Sequence, residues 1–425
     1  MQNPNTALVN KRSEQLIKFI AASLILVYLI NCFSPLRLHV DMLRYFAIKD
    51  CIELGCPPDS EAAKDYLPYG YTGLLLLLSK IGFLNSFVIV FINCAFLFGS
   101  IYLAKKIFDL SGKTYLFIAV VLLNWTTIKF TTHPLSEMQY LFFSMASLYY
   151  FCKFTSTRSF VSLFLSFIAA GLAFLTRSVG VALAAALVAG VIWQYREQLL
   201  LLIRKNKVVV LILLIIIAGV AVFSKQLGLD HYTGVFSKQF DEGVGFKDIL
   251  GWHFTEWSEL VVNTSQSKVA AYLPDSLSKT GFIVTGIIFF CVFVFLLFRN
   301  KKIPFIVKAY LVFYSVLMFN WPFYDPRFWV PVLPLVAAVV IQTSFSVSKL
   351  SRNLQVAAFT AYMLIGIVSI GYMTYTSLNK KAFTRTQANG VYRNEYETVF
   401  FGKPQSDTAK HINQEALHVI ERYGR

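Results

Sequence analysis

Long apolar runs constrain this chain before anything else does. Residues 16–33, 87–104, 207–223 and 280–298 are nearly free of charge. Each approaches the ~20 residues a helix needs to cross a hydrocarbon core. Of all 425 residues, 56% are hydrophobic and 16% aromatic, more than one soluble core can hide. The excess must face lipid, so the expected fold class is an all-α polytopic membrane protein.

Spans are expected at 16–33, 87–104, 114–130, 138–152, 160–175, 178–195, 207–223, 280–298, 304–320, 328–342 and 355–376, about eleven transmembrane helices. A further apolar stretch, YLPYGYTGLLLLLSKIGFL from Tyr66 to Leu84, is decided by charge placement. If it lies in the interface, the segments 1–18, 104–113, 153–159, 196–207, 299–308 and 349–353 share one side and hold eighteen Lys and Arg against three acids. If it spans, fifteen of those basic residues move to the wrong face, against the positive-inside rule. Residues 66–84 are therefore expected to be interfacial or re-entrant. The N-terminus is expected in the cytoplasm and the C-terminus outside, in a bacterial inner or plasma membrane. No small-residue cleavage site follows 16–33, which reads as an uncleaved signal anchor.

The formal charge of +16 has the same origin, because eighteen of the thirty-nine basic residues sit in those short inner segments. Topology accounts for the charge without nucleic acid. Cys94, Cys152 and Cys291 lie in apolar spans and read as packing residues. Cys51 and Cys56 share the first outer segment, where they either close a small disulfide loop or remain free thiols. No CxxC pair or His-rich spacing is present, so neither metal nor cofactor is expected.

The domain expectation is a membrane domain, 1–376, with outer loops 34–68 and 224–279, and a small outer piece, 377–425. In the first loop Val40, Leu43, Phe46 and Ala47 recur at helical spacing, which suggests an amphipathic helix lying on the membrane. Asp41 at its start either caps that helix or presents a carboxylate at headgroup depth. The second loop carries GWHFTEW and is too long for a mere connector. It is either a lid or an inert cap, and His253 and Glu256 are assigned no role. In the third piece Ser406 or Asp407 is expected to cap a helix bearing Ile412, Ala416 and Ile420 on one face. Such a short piece has little core of its own and is expected to pack on the other outer loops.

Charges near spans are informative, since one at a helix centre in the membrane costs about 2.5–3.5 kcal/mol. Here they collect in outer turns: His133 and Glu137 in TTHPLSEM, Arg177 in GLAFLTRSVGVAL, and Asp325 and Arg327 in WPFYDPRFWVPVLPL. With Asp41 they make three carboxylates, two guanidiniums and an imidazole at one depth. Arginine forks suit paired phosphate oxygens, and a neighbouring carboxylate suits proton removal from a hydroxyl. The plainer alternatives are arginines snorkelling to headgroups and Asp325 pairing only with Arg327. His133 reads first as a turn residue before Pro134, and with Asp325 as a supporting group at most.

From residue 16 to about 376 the pattern resembles the GT-C glycosyltransferases of the protein O-mannosyltransferase and lipid A aminoarabinose transferase type. The resemblance rests on HVDMLRYFAIKD after the first span, the interfacial YLPYGYTGLLLLLSKIGF, HPLSEM, GLAFLTRSVGVAL and DPRFWVPVLPLVA, in that order. It implies Asp41 as catalytic base, Glu137 as second acid, and Arg177 with Arg327 as holders of the donor phosphate. The implied donor is a polyprenyl-phosphate sugar, and the acceptor a protein, lipid or glycan hydroxyl. Relatives often carry Asp-Glu where this chain has Asp41-Met42, and an Asp directly after Pro where it has Leu135-Ser136-Glu137. The competing expectation is a transporter or flippase of a lipid-linked or anionic substrate, with charges at the bilayer midplane and two related halves.

Overall fold

The computed structural model describes residues 4–205, 234, 237–343, 349–404 and 411–424. Among them every regular element is helical. The first half contains α1 (Pro4–Ile30), α2 (Val40–Leu54), α3 (Glu61–Lys64), α4 (Tyr69–Lys80), α5 (Ser86–Phe108), α6 (Thr114–Leu122), α7 (Trp125–Thr131), α8 (Glu137–Thr157), α9 (Phe160–Thr176) and α10 (Gly180–Lys205). Then come α11 (Phe246–Val262), α12 (Gln266–Ala270), α13 (Asp275–Arg299), α14 (Phe305–Phe319), a 3-10 turn (Pro326–Val332), α15 (Leu333–Gln342) and α16 (Lys349–Leu378). The closing piece holds α17 (Lys380–Thr386), α18 (Arg393–Phe401) and α19 (Gln414–Tyr423).

Among the described residues four helices are long and apolar enough to cross a membrane: Gln15–Phe33, Ser86–Phe108, Asp275–Arg299 and Gln355–Leu378. The pair α6 and α7, bent by 68°, makes a fifth if it counts as one broken span. The expected eleven are not supported, for reasons visible in the residues. The 114–130 run breaks where the Asn124 side chain accepts from the Thr126 N–H and starts a new helix. The 328–342 run divides because Pro331 and Pro334 each lack an amide donor. Helices α9 and α14, of 17 and 15 residues, are shorter than the ~20 residues of a typical span. Helix α8 is long enough but carries buried Gln139, Ser144 and Ser147, and it packs between α5 and α9 as a core helix. The expected span 207–223 lies outside the described residues. Of the stretch 66–84, twelve residues form α4, too short to span.

At one end of this bundle α2 buries one face against its neighbours. Met42, Tyr45, Phe46, Ile48 and Lys49 are buried, while Val40, expected on the apolar face, is exposed. The N-cap is His39, whose Nδ1 accepts from the Asp41 N–H, so Asp41 sits in the first turn without being the cap. Burial, with the Arg327 charge nearby, lowers the His39 pKa and keeps the imidazole neutral for that acceptor role. Cys51, in the last turn of α2, and Cys56, just beyond that helix, are joined in a disulfide.

The closing piece packs on α2 and the strand of chain before it. Tyr396 Oη donates to the Leu36 carbonyl at 2.7 Å and accepts from the Leu38 N–H at 2.9 Å. In α19 the buried face is Ala416, Val419, Ile420 and Tyr423, and the cap is Asn413. Ser406 and Asp407, expected to cap it, lie outside the described residues. On the opposite flank α11 is pressed onto α13, where any side chain at Gly286 would overlap the Phe254 carbonyl.

Candidate functional site

Four elements end around one cavity of about 340 Å³. Helix α2 begins there and supplies Asp41 from its first turn. Helix α8 begins there with Glu137 as its first residue. Helix α9 ends there, and Arg177 follows it in extended conformation. The 3-10 turn begins there: Asp325 caps it, accepting from the Arg327 N–H at 3.0 Å, and Pro326 occupies its first position. Helix termini expose unpaired backbone groups and change chain direction, so they deliver side chains to a shared hollow in a way that mid-helix positions do not.

The charges are interlocked. Arg327 donates to Asp41 Oδ2, and its Nε stands 2.9 Å from Asp325 Oδ2 and 3.8 Å from Glu137 Oε1. Arg177 donates to Glu137 Oε1 and, at 3.3 Å, to Ser136 Oγ. Glu137 Oε2 is buried with no hydrogen-bond partner among the described residues. Asp41 keeps 23% of its side chain exposed, against 1% for Glu137. Burial pushes the Asp41 carboxyl up, but the charge and hydrogen bond of Arg327 outweigh it and leave the group below its ordinary value.

Asp41, Glu137, Arg177, Arg327 and Asp325 therefore meet, though they come from four separate stretches of the chain. Asp325 does pair with Arg327, yet that arginine is also shared with Asp41. His133 is not on the cavity wall. Its Nδ1 lies 2.6 Å from the Lys129 carbonyl, and its own carbonyl accepts from Asn93 at 2.9 Å, which makes it a turn residue. No group of three His, Cys, Asp or Glu among the described residues is arranged to hold a metal ion.

Sequence reasoning missed a third guanidinium. Arg44 lines the cavity, reaches Asp41 Oδ1 at 3.3 Å and grips Asp65 at 2.7 and 2.8 Å, while stacking on Tyr66. The signal was available as an acid and a base at i and i+3 on α2. Also missed was an aromatic wall of Tyr45, Tyr66, Trp321, Phe323, Tyr324 and Phe328. Behind it, Tyr324 donates to Glu259 Oε1 at 2.7 Å, and burial pushes the Glu259 carboxyl up to about 7.

No protein-family model, curated protein or solved structure matches this chain.

Proposed function

We propose that this chain is a membrane glycosyltransferase of the GT-C type, transferring a sugar from a polyprenyl-phosphate donor to an acceptor hydroxyl on a protein, lipid or glycan. The observation that carries the reading is the convergence of Asp41, Glu137, Arg177 and Arg327 on one cavity. In this reading the shorter apolar helices Phe160–Thr176, Phe305–Phe319 and Pro326–Gln342 also cross the bilayer. The bent α6–α7 pair is then a broken span. The cavity and the C-terminal piece face outward from a bacterial inner or plasma membrane, with the N-terminus cytoplasmic.

The chemistry follows from the pairing. A donor phosphate offers Arg177 and Arg327 paired oxygens in place of their carboxylates. When Arg327 turns to the phosphate, Asp41 loses the cation that depresses its pKa and becomes a stronger base. Asp41 takes the acceptor hydroxyl proton as that oxygen bonds to the sugar carbon. The bond from carbon to phosphate oxygen breaks, and polyprenyl phosphate departs with the electron pair, its charge met by the two arginines. Glu137, through Oε2, holds the acceptor hydroxyl. These charges stand at helix ends and turns, unlike the midplane charges that suit a transporter.

The test is direct. Purified protein in lipid nanodiscs, given a polyprenyl-phosphate sugar and an acceptor glycan, lipid or peptide, should release polyprenyl phosphate. Absence of release across sugars and acceptor classes would reject the reading.

A further inference from the structure

Behind the arginine turn lies a buried acid that the catalytic proposal leaves unused. Glu256 and His253, three residues apart on α11, are each 0% exposed. Their bonds beyond α11 end on the segment 321–329. His253 Nε2 lies 2.7 Å from the Trp321 carbonyl oxygen. That oxygen only accepts, so Nε2 carries a hydrogen. His253 Nδ1 stands 2.6 Å from Glu256 Oε2. One proton therefore serves that contact, and the pair is neutral whichever partner holds it, as a dry interior requires.

The two carboxyl oxygens receive one donor each from the turn. Oε1 accepts from the Asp325 N–H at 2.5 Å, and Oε2 accepts from the Trp329 indole N–H at 2.7 Å. Asp325 is two residues before Arg327 and Trp329 two residues after it. Glu256 thus bridges the turn symmetrically about the arginine. Apolar packing of similar volume would fill this space without any desolvation cost, but it would not fix both shoulders of the turn.

We propose that Glu256 is a positioning residue, which by holding Asp325 and Trp329 sets the direction in which Arg327 enters the cavity. What Arg327 receives there rests on the glycosyltransferase reading, whereas the holding of the turn does not.

Glu256→Gln tests this in the full chain. The amide keeps an oxygen for the Asp325 N–H but replaces the acceptor facing Trp329 with a donor. Trp329→Phe removes the same bond from the other side and provides a second variant. Two quantities are measured in nanodiscs: hydrogen–deuterium exchange of peptides covering 321–332, and affinity for farnesyl phosphate as a short lipid-phosphate probe. Both variants should exchange roughly tenfold faster in that segment, the scale of one lost buried hydrogen bond, with α5 and α8 unchanged. Farnesyl phosphate should bind severalfold more weakly, and in a transfer assay the donor KM should rise more than kcat falls. Unchanged exchange at 321–332, or faster exchange spread equally over α5 and α8, would overturn the positioning role. Local loosening with unaltered farnesyl phosphate affinity would equally overturn its link to the anion. If the wild-type protein binds no farnesyl phosphate, the glycosyltransferase reading fails, and exchange at the turn still decides the role of Glu256.

Discussion

Lys49 and Arg327 are both cations enclosed by acids, yet they are built for different ends. The Lys49 ammonium, 0% exposed, has three protons and three partners: Asp50 at 2.6 Å, Glu53 at 2.8 Å and Tyr423 at 2.7 Å. Its two acids lie on its own helix, and Tyr423 ties the last helix to it. Arg327 draws its acids from three elements, with Asp41 on α2, Glu137 on α8 and Asp325 in its own turn. It also lines a cavity, and Glu137 Oε2 beside it has no partner among the described residues. A cation whose protons are all matched is a rivet. One shared among several acids at a cavity wall can exchange a carboxylate for an incoming anion.

That contrast is sharpest in catalysis. Asp41→Asn keeps the shape of the side chain and removes the proposed base, so sugar transfer should fall at least about a hundredfold, with thermal stability nearly unchanged. Full activity in that variant would remove Asp41 from the chemistry. Next in size, Arg327→Ala should weaken farnesyl phosphate binding on the order of thirtyfold or more, the cost of taking one partner from a buried charge pair. Lys49→Met should leave that affinity unchanged and instead destabilise the fold by about 1–3 kcal/mol, the range for buried polar groups losing a partner. A loss of phosphate affinity in Lys49→Met, measured beside its melting curve, would break the comparison.

The smallest effect concerns pH. Burial holds the Glu259 carboxyl near pH 7 in the folded protein, from an ordinary value of 4.5. The folded state then binds this proton more tightly than the unfolded chain does. Its contribution to stability is present below about pH 4.5 and is lost as pH rises to about 7. Glu259→Gln should flatten the fall in melting temperature across that window, and an unaltered slope would place the titration elsewhere.

How much of this was legible in the sequence depended on the reach of the signal. Glu137, Arg177 and Arg327 could be picked out because charges beside apolar runs are costly and conspicuous. Helix count was overread, since hydropathy registers the apolar run 114–130 but not the cap at Asn124 that breaks it. Asp41 was rightly placed at the start of α2, but the cap is His39, because a neutral imidazole accepts that N–H and leaves the carboxylate to Arg327. Arg44 has a local signal, its i, i+3 spacing from Asp41 on α2. Glu256 had no local signal, for its partners Asp325 and Trp329 lie some seventy residues on and meet it only through tertiary packing.

The most direct measurement is a density map of the protein in nanodiscs with a polyprenyl phosphate bound. The expected result is the phosphate within hydrogen-bonding distance of Arg177 and Arg327, with Asp41 released from Arg327. A lipid phosphate bound elsewhere, while Arg327 still holds Asp41 and Arg177 still holds Glu137, would contradict the assignment of this cavity.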